Sequence, residues 1–132
     1  MSRLDGPQAT SSKVLTLLKR SGVFHFAGHA FYDSRDPFAS GLICASKAKQ
    51  EDVLTVANIV GRTQSISSRL VVLSACETGQ VDPTDQLEDF LGLPGAFLVA
   101  GAQTVVASLW RVDDLAACIL MEKFFEIGRA HV

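Results

Sequence analysis

The chain has 132 residues, of which 48% are hydrophobic, and its 12 basic and 14 acidic side chains leave a net charge of −2. This balance is typical of one folded domain or part of one, and it excludes a disordered chain and a basic nucleic-acid surface. No apolar run approaches the ~20 residues of a membrane-spanning helix. We therefore expect neither a nucleic acid nor a membrane as a partner.

Signals for helices and strands alternate along the chain. The patterns predict a helix over 9–19, strands over 23–27 and 41–45, a helix over 54–60, a strand over 70–75, a helix over 86–100, a strand over 104–109 and a helix over 113–126. The continuously apolar run at 70–75 is typical of a strand buried on both faces of a parallel sheet. The sequence therefore predicts an α/β fold with a mostly parallel sheet flanked by helices.

The last six residues break the amphipathic pattern of the final helix. Residues 127–132 can be back-translated as ATC GGA AGA GCA CAC GTC, which resembles a common sequencing-adapter read. We therefore expect a partial domain over 1–126 and a non-native tail over 127–132, in which His131 has no function. The alternative is an ordinary terminus with Gly128 as a C-cap.

Two residues that could support nucleophilic chemistry follow two predicted strands. His29 comes just after the strand at 23–27, and Cys76 directly follows the strand at 70–75. Reactive groups of parallel sheets gather at the carboxyl ends of the strands, and a nearby imidazole makes a thiol nucleophilic. Their separation of 47 residues (76 − 29) is close to the roughly 50 residues of caspases. The backbone N–H groups of Ala30 and Cys76 are candidate oxyanion donors.

Each of these residues also has a purely structural interpretation. A cysteine after a strand is often a small buried side chain, and a histidine there is often a hydrogen-bonded structural residue. We expect Cys44 and Cys118 to belong to the core and His25 to pack on the sheet. Three widely spaced cysteines favour free thiols in a reducing cytoplasm over a disulfide framework. We expect no zinc site.

The order of four segments resembles the CHAT domain, a caspase-like module often found with tetratricopeptide repeats in bacteria and distantly similar to separase. These segments are HFAGHA, the Ser40-Gly41-Leu42 strand, LVVLSACETG and GAFLVAGAQTVVASLWRVDD. The resemblance implies a three-layer caspase-like fold, here truncated at both ends. It also implies a cysteine endopeptidase with His29 and Cys76 as its catalytic dyad, no metal and no cofactor, acting on a protein or peptide substrate.

The segment after the last core strand forms part of the substrate pocket in this family. By resemblance, Trp110 would wall the pocket, and Asp113 or Asp114 would face a basic side chain of the substrate. The alternative role of the two aspartates is to cap the final helix. The loop after Cys76 departs from the family's usual glycine-rich pattern. A non-catalytic, caspase-like scaffold or interaction module therefore stays as the alternative function.

Overall fold

A computed structural model describes residues 1–46, 50–61, 65–77, 86–108 and 112–130, with residues 76–77 and 86–91 described by their backbone. The helices are α1 (Ser11–Arg20), α2 (Val56–Val60), α3 (Gln86–Val99) and α4 (Asp114–Ala130). The strands are β1 (Val23–Phe31), β2 (Gly41–Cys44), β3 (Asp52–Thr55), β4 (Leu70–Glu77) and β5 (Val105–Ala107). None of the described helices is both long enough and apolar enough to cross a bilayer.

The strands form one five-stranded sheet in the order β3-β2-β1-β4-β5. The pairs β1–β4 and β4–β5 are parallel, whereas β2 is antiparallel to both of its neighbours. Of the five described strands, four therefore point the same way and β2 is reversed. The predicted α/β fold with a mostly parallel sheet flanked by helices is confirmed.

The structure corrects several predicted boundaries. β1 continues to Phe31 and β4 to Glu77, so His29 and Cys76 lie within their strands instead of just after them. The helix predicted over 54–60 begins only at Val56, because residues 52–55 form a strand that the sequence analysis missed. Thr55 caps this helix: its side chain accepts the Asn58 N–H, and the Asn58 side chain accepts the Thr55 N–H.

One face of the sheet carries the hydrophobic core, and we call it the core face. Every second residue of a strand points to the same side of a sheet, as do the residues paired with it on the neighbouring strand. Phe24, Val71 and Leu73 share the core face in this way. Helices α1 and α3 cover it with Leu18 and Phe97, both fully buried. Burial of such side chains contributes roughly 1.5–3 kcal/mol each, so this layer stabilises the fold.

The opposite face, which we call the cleft face, carries His25, Ala27 and His29 of β1 and Ser74 of β4. Helix α4 lies over it, and none of the 17 residues of that helix is fully buried. The predicted core position of Cys118 on this helix is wrong, since the side chain is exposed. Cys44 is buried in the core as predicted.

A glycine fixes the turn between α3 and β5. Gly101 has φ +117°, and its N–H donates to the Leu98 carbonyl, while the N–H of Ala102 donates to the Phe97 carbonyl. These two bonds form a Schellman motif, which ends a helix and requires a left-handed residue. A Cβ at this position would also lie 2.6 Å from the Ile66 carbonyl oxygen. The turn leads the chain into β5, which lies beside β4 in the sheet.

Candidate active site

The register of β1 and β4 places the two predicted catalytic residues side by side. His29 is the direct partner of Cys76 in this parallel pair, with Gly28 opposite Ala75 and Ala30 opposite Glu77. Neighbouring strands lie about 4.8 Å apart, and directly paired residues belong to the same face. The strands bring an imidazole-bearing and a thiol-bearing residue to adjacent positions on the cleft face, near the carboxyl end of the sheet.

A second histidine lies on the same face, four residues before His29. The Nε2 atom of His25 is 2.9 Å from the hydroxyl oxygen of Ser74, two residues before Cys76. The His25 ring also contacts the ring of Phe125 on α4, with 5.4 Å between centroids. Partial burial lowers the pKa of His25, so the neutral ring is favoured.

The spacing of His25 and His29 is that of a zinc motif on a helix, but here it falls on a strand. Four residues along a strand separate the two Cα atoms by about 13 Å, so both rings cannot hold one ion. Within the described ranges, no group of three or more potential His, Cys, Asp or Glu ligands is gathered.

A cleft of about 910 Å³ separates the cleft face from α4. His25, His29 and Ser74 line the sheet side, together with Ser108, which follows β5. Helix α4 begins seven residues beyond the carboxyl end of β5, and its later residue Phe125 contacts His25 near the amino end of β1. The helix therefore runs back along the sheet and forms the second wall of the cleft.

The α4 wall of the cleft carries charges of both signs. Asp114, Glu122 and Glu126 are acidic, whereas Lys123 and Arg129 are basic. Lys123 and Glu126 form an ion pair with 2.7 Å between Nζ and Oε2, and both side chains are largely exposed. Of the remaining acidic side chains, Asp114 lies at the helix start, which is the end nearest His29, and Glu122 lies at the middle of the helix.

The two aspartates that resemble pocket residues have different environments. The Oδ1 atom of Asp113 accepts the N–H groups of Leu115 and Ala116 at 3.1 Å each, so this residue caps α4. Asp114 lines the cleft together with His29. The predicted pocket residue Trp110 lies outside the described residues, and its role stays a prediction.

Ala30, a predicted oxyanion donor, lies inside β1 and is buried. It has a strand partner on each side, Leu42 in β2 and Glu77 in β4. The backbone of Ala30 therefore faces neighbouring strands. The predicted strand ended at residue 27, so Ala30 was expected in a loop beyond it. The oxyanion roles of the Ala30 and Cys76 N–H groups stay predictions.

Three cleft-lining residues with a hydroxyl or thiol group were not predicted as site residues from the sequence: Ser74, Ser108 and Cys118. The sequence carried a signal for Ser74, because Val72, Ser74 and Cys76 are every second residue of β4 and therefore lie on the same face of the sheet. No comparable signal marked Cys118, since its position depends on how α4 packs against the sheet.

The α/β architecture with its mostly parallel sheet is consistent with a caspase-like fold. The CHAT domain family model matches residues 2–130, and the chain belongs to that family. This match confirms the resemblance seen in the sequence. A comparison with curated proteins found no match to the chain.

Proposed function

We propose that this CHAT domain is a cysteine endopeptidase module in which His29 and Cys76 act as a catalytic dyad. The observation that carries the proposal is the register of β1 and β4, which makes the two residues direct neighbours. A thiol beside an imidazole is the minimum that thiol peptidases need, together with donors for the oxyanion. Family membership supports the same reaction class.

In the proposed reaction His29 takes the thiol proton, and the Cys76 thiolate attacks the scissile carbonyl carbon. His29 then gives that proton to the leaving amine as the C–N bond breaks, which leaves a thioester on Cys76. Water, activated by the same imidazole, hydrolyses the thioester and restores the thiol. The cycle needs no metal and no cofactor.

The proposed substrate is a protein partner with a basic residue before the scissile bond. Asp114 supports this assignment because it lines the cleft together with His29. Asp113 already accepts two backbone N–H groups, so it is the weaker candidate for binding a substrate cation. Trp110 is retained as a proposed wall of the pocket on the basis of the family resemblance.

We further propose a cytoplasmic module that is regulated by a partner or by an attached tetratricopeptide-repeat region. Cys44 and Cys118 are free thiols, which suits a reducing compartment. Regulation is proposed from the family context, in which such repeats often accompany the domain.

The decisive experiment compares the wild-type chain with Cys76→Ala and His29→Ala on peptides that vary the residue before the scissile bond. We expect each variant to lower turnover at least about a thousandfold, because nucleophile and base act as one unit. Cys44→Ala is the matched thiol control, since Cys44 is buried on the core face. Equal turnover in all four proteins would exclude the dyad.

Thiol reactivity separates this proposal from a non-catalytic interaction module that keeps the fold. Iodoacetamide at neutral pH should alkylate Cys76 much faster than Cys118 or Cys44, because a thiolate is the reacting form. Burial raises the pKa of the Cys44 thiol and makes it the slow internal reference. Similar rates at Cys76 and Cys118, together with no peptide turnover, would favour the interaction module.

A further inference from the structure

A second thiol faces the candidate site from the opposite wall of the cleft. Cys118 belongs to α4, is exposed, and lines the same cleft as His29 and Ser74. Cys76 holds the register position beside His29. One cysteine therefore lines the cleft from the helix, and the other is the strand partner of His29, which lines the cleft from the sheet.

The geometry of α4 places the two thiol-bearing residues at a similar height along the sheet. Cys118 precedes Phe125 by two helical turns, about 10.5 Å, so both residues share one side of the helix. Phe125 contacts His25, and His29 lies about 13 Å further along β1 toward the carboxyl end. Because α4 runs back along the sheet, Cys118 lies near the level of His29 and Cys76.

We infer that Cys118 is a resolving thiol that captures oxidised Cys76 as an intrachain disulfide and closes the cleft reversibly. The inference rests on the proposed reactivity of Cys76. The oxidant is a hydroperoxide. The Cys76 thiolate attacks one peroxide oxygen, the O–O bond breaks, and the departing oxygen leaves as water after taking a proton, so that Cys76 becomes a sulfenic acid.

In the second step the Cys118 sulfur attacks the Cys76 sulfur, the S–O bond breaks, and a second water leaves. Two thiols and one hydrogen peroxide thus give one disulfide and two waters, with two electrons passing to the peroxide. A disulfide requires Cα atoms about 4.4–6.8 Å apart. The proposed bond therefore requires α4, none of whose side chains is fully buried, to move toward the sheet.

The test treats the reduced full chain with hydrogen peroxide at low protein concentration, blocks free thiols and analyses tryptic peptides. Trypsin cuts after Arg69, Arg111 and Lys123, so Cys76 and Cys118 fall in different peptides. We expect a linked peptide pair, two hydrogens lighter than the separate peptides, from a chain that stays monomeric on a non-reducing gel. Dithiothreitol should restore alkylation of Cys76.

Cys118→Ser and Cys118→Ala are the test variants, and Cys44→Ala is the matched control. Without a resolving thiol, oxidised Cys76 should proceed to the irreversible sulfinic acid. After dithiothreitol treatment, the amount of Cys76 that can be alkylated should therefore be at least about tenfold lower in the Cys118 variants than in the wild type. The control should behave as the wild type. A missing 76–118 link, or equal recovery in the Cys118 variants, would overturn the inference. Failure of the dyad itself would appear separately, as unchanged peptide turnover in Cys76→Ala.

Discussion

The two faces of the sheet are built from the same strands and have different properties. On the core face, Phe24, Val71 and Leu73 are buried beneath α1 and α3. On the cleft face, the alternate positions carry His25 and Ser74, and α4 leaves a cleft of about 910 Å³ above them. Two-residue periodicity thus lets one strand contribute to stability on one side and to chemistry on the other.

The largest difference between the faces should appear when the same residue type is truncated on each. Phe97→Ala removes a fully buried ring from α3 and should lower the free energy of unfolding by about 3–5 kcal/mol. Phe125→Ala removes a half-buried ring from α4 and should cost less than about 2 kcal/mol, since less area is lost. Urea unfolding of both variants gives the values, and equal losses would contradict the comparison.

Two serines provide a second matched pair, with a smaller effect. The fully buried Ser68 hydroxyl lies 2.7 Å from the Ser21 carbonyl oxygen and 3.2 Å from that of Leu18. Ser68→Ala should cost about 1–3 kcal/mol, because buried acceptors lose their donor. Ser74→Ala should cost about 1 kcal/mol or less, since water reaches its partner His25 through the cleft. If thermal unfolding showed a larger loss of stability for Ser74→Ala than for Ser68→Ala, the cleft would be less open to water than described.

The smallest expected effect is a pH dependence that comes from the cleft face. Burial lowers the pKa of His25, so the unfolded chain binds this proton more readily than the folded protein. The contribution of neutral His25 to stability is therefore complete above the ordinary histidine pKa of about 6.5 and declines as the pH falls below it. The difference in unfolding free energy between the wild type and His25→Gln, measured from pH 8 to pH 5, should shrink on acidification. A constant difference would contradict this assignment.

Hydrophobic patterns carried most of the fold prediction. The run LVVLSA predicted β4, and the helix–strand alternation predicted the α/β class and the parallel arrangement of β1, β4 and β5. The prediction placed His29 and Cys76 near neighbouring strand ends, and the register confirms that β1 and β4 are adjacent. Their catalytic roles stay predictions.

Features that depend on tertiary contacts were not predictable from local patterns. Gly28 and two histidines interrupt the apolar pattern of β1, yet pairing with strands on both sides keeps residues 28–31 extended. β3 has only four residues and continues directly into α2, so no turn signal separates them. Cys118 looks like a core residue by type, but α4 turns it toward the cleft, and nothing in the local sequence determines that orientation.

The distance along the chain between the paired strands has a consequence for biosynthesis. His29 and Cys76 become neighbours only when β1 has closed a long loop onto β4, and closing such loops slows folding. During translation, β1, β2 and β3 emerge before β4 and can associate as local hairpin-like pairs. Cys76 is synthesised after these three strands, so His29 gains its neighbour on this side only once β4 has been translated and has docked against β1.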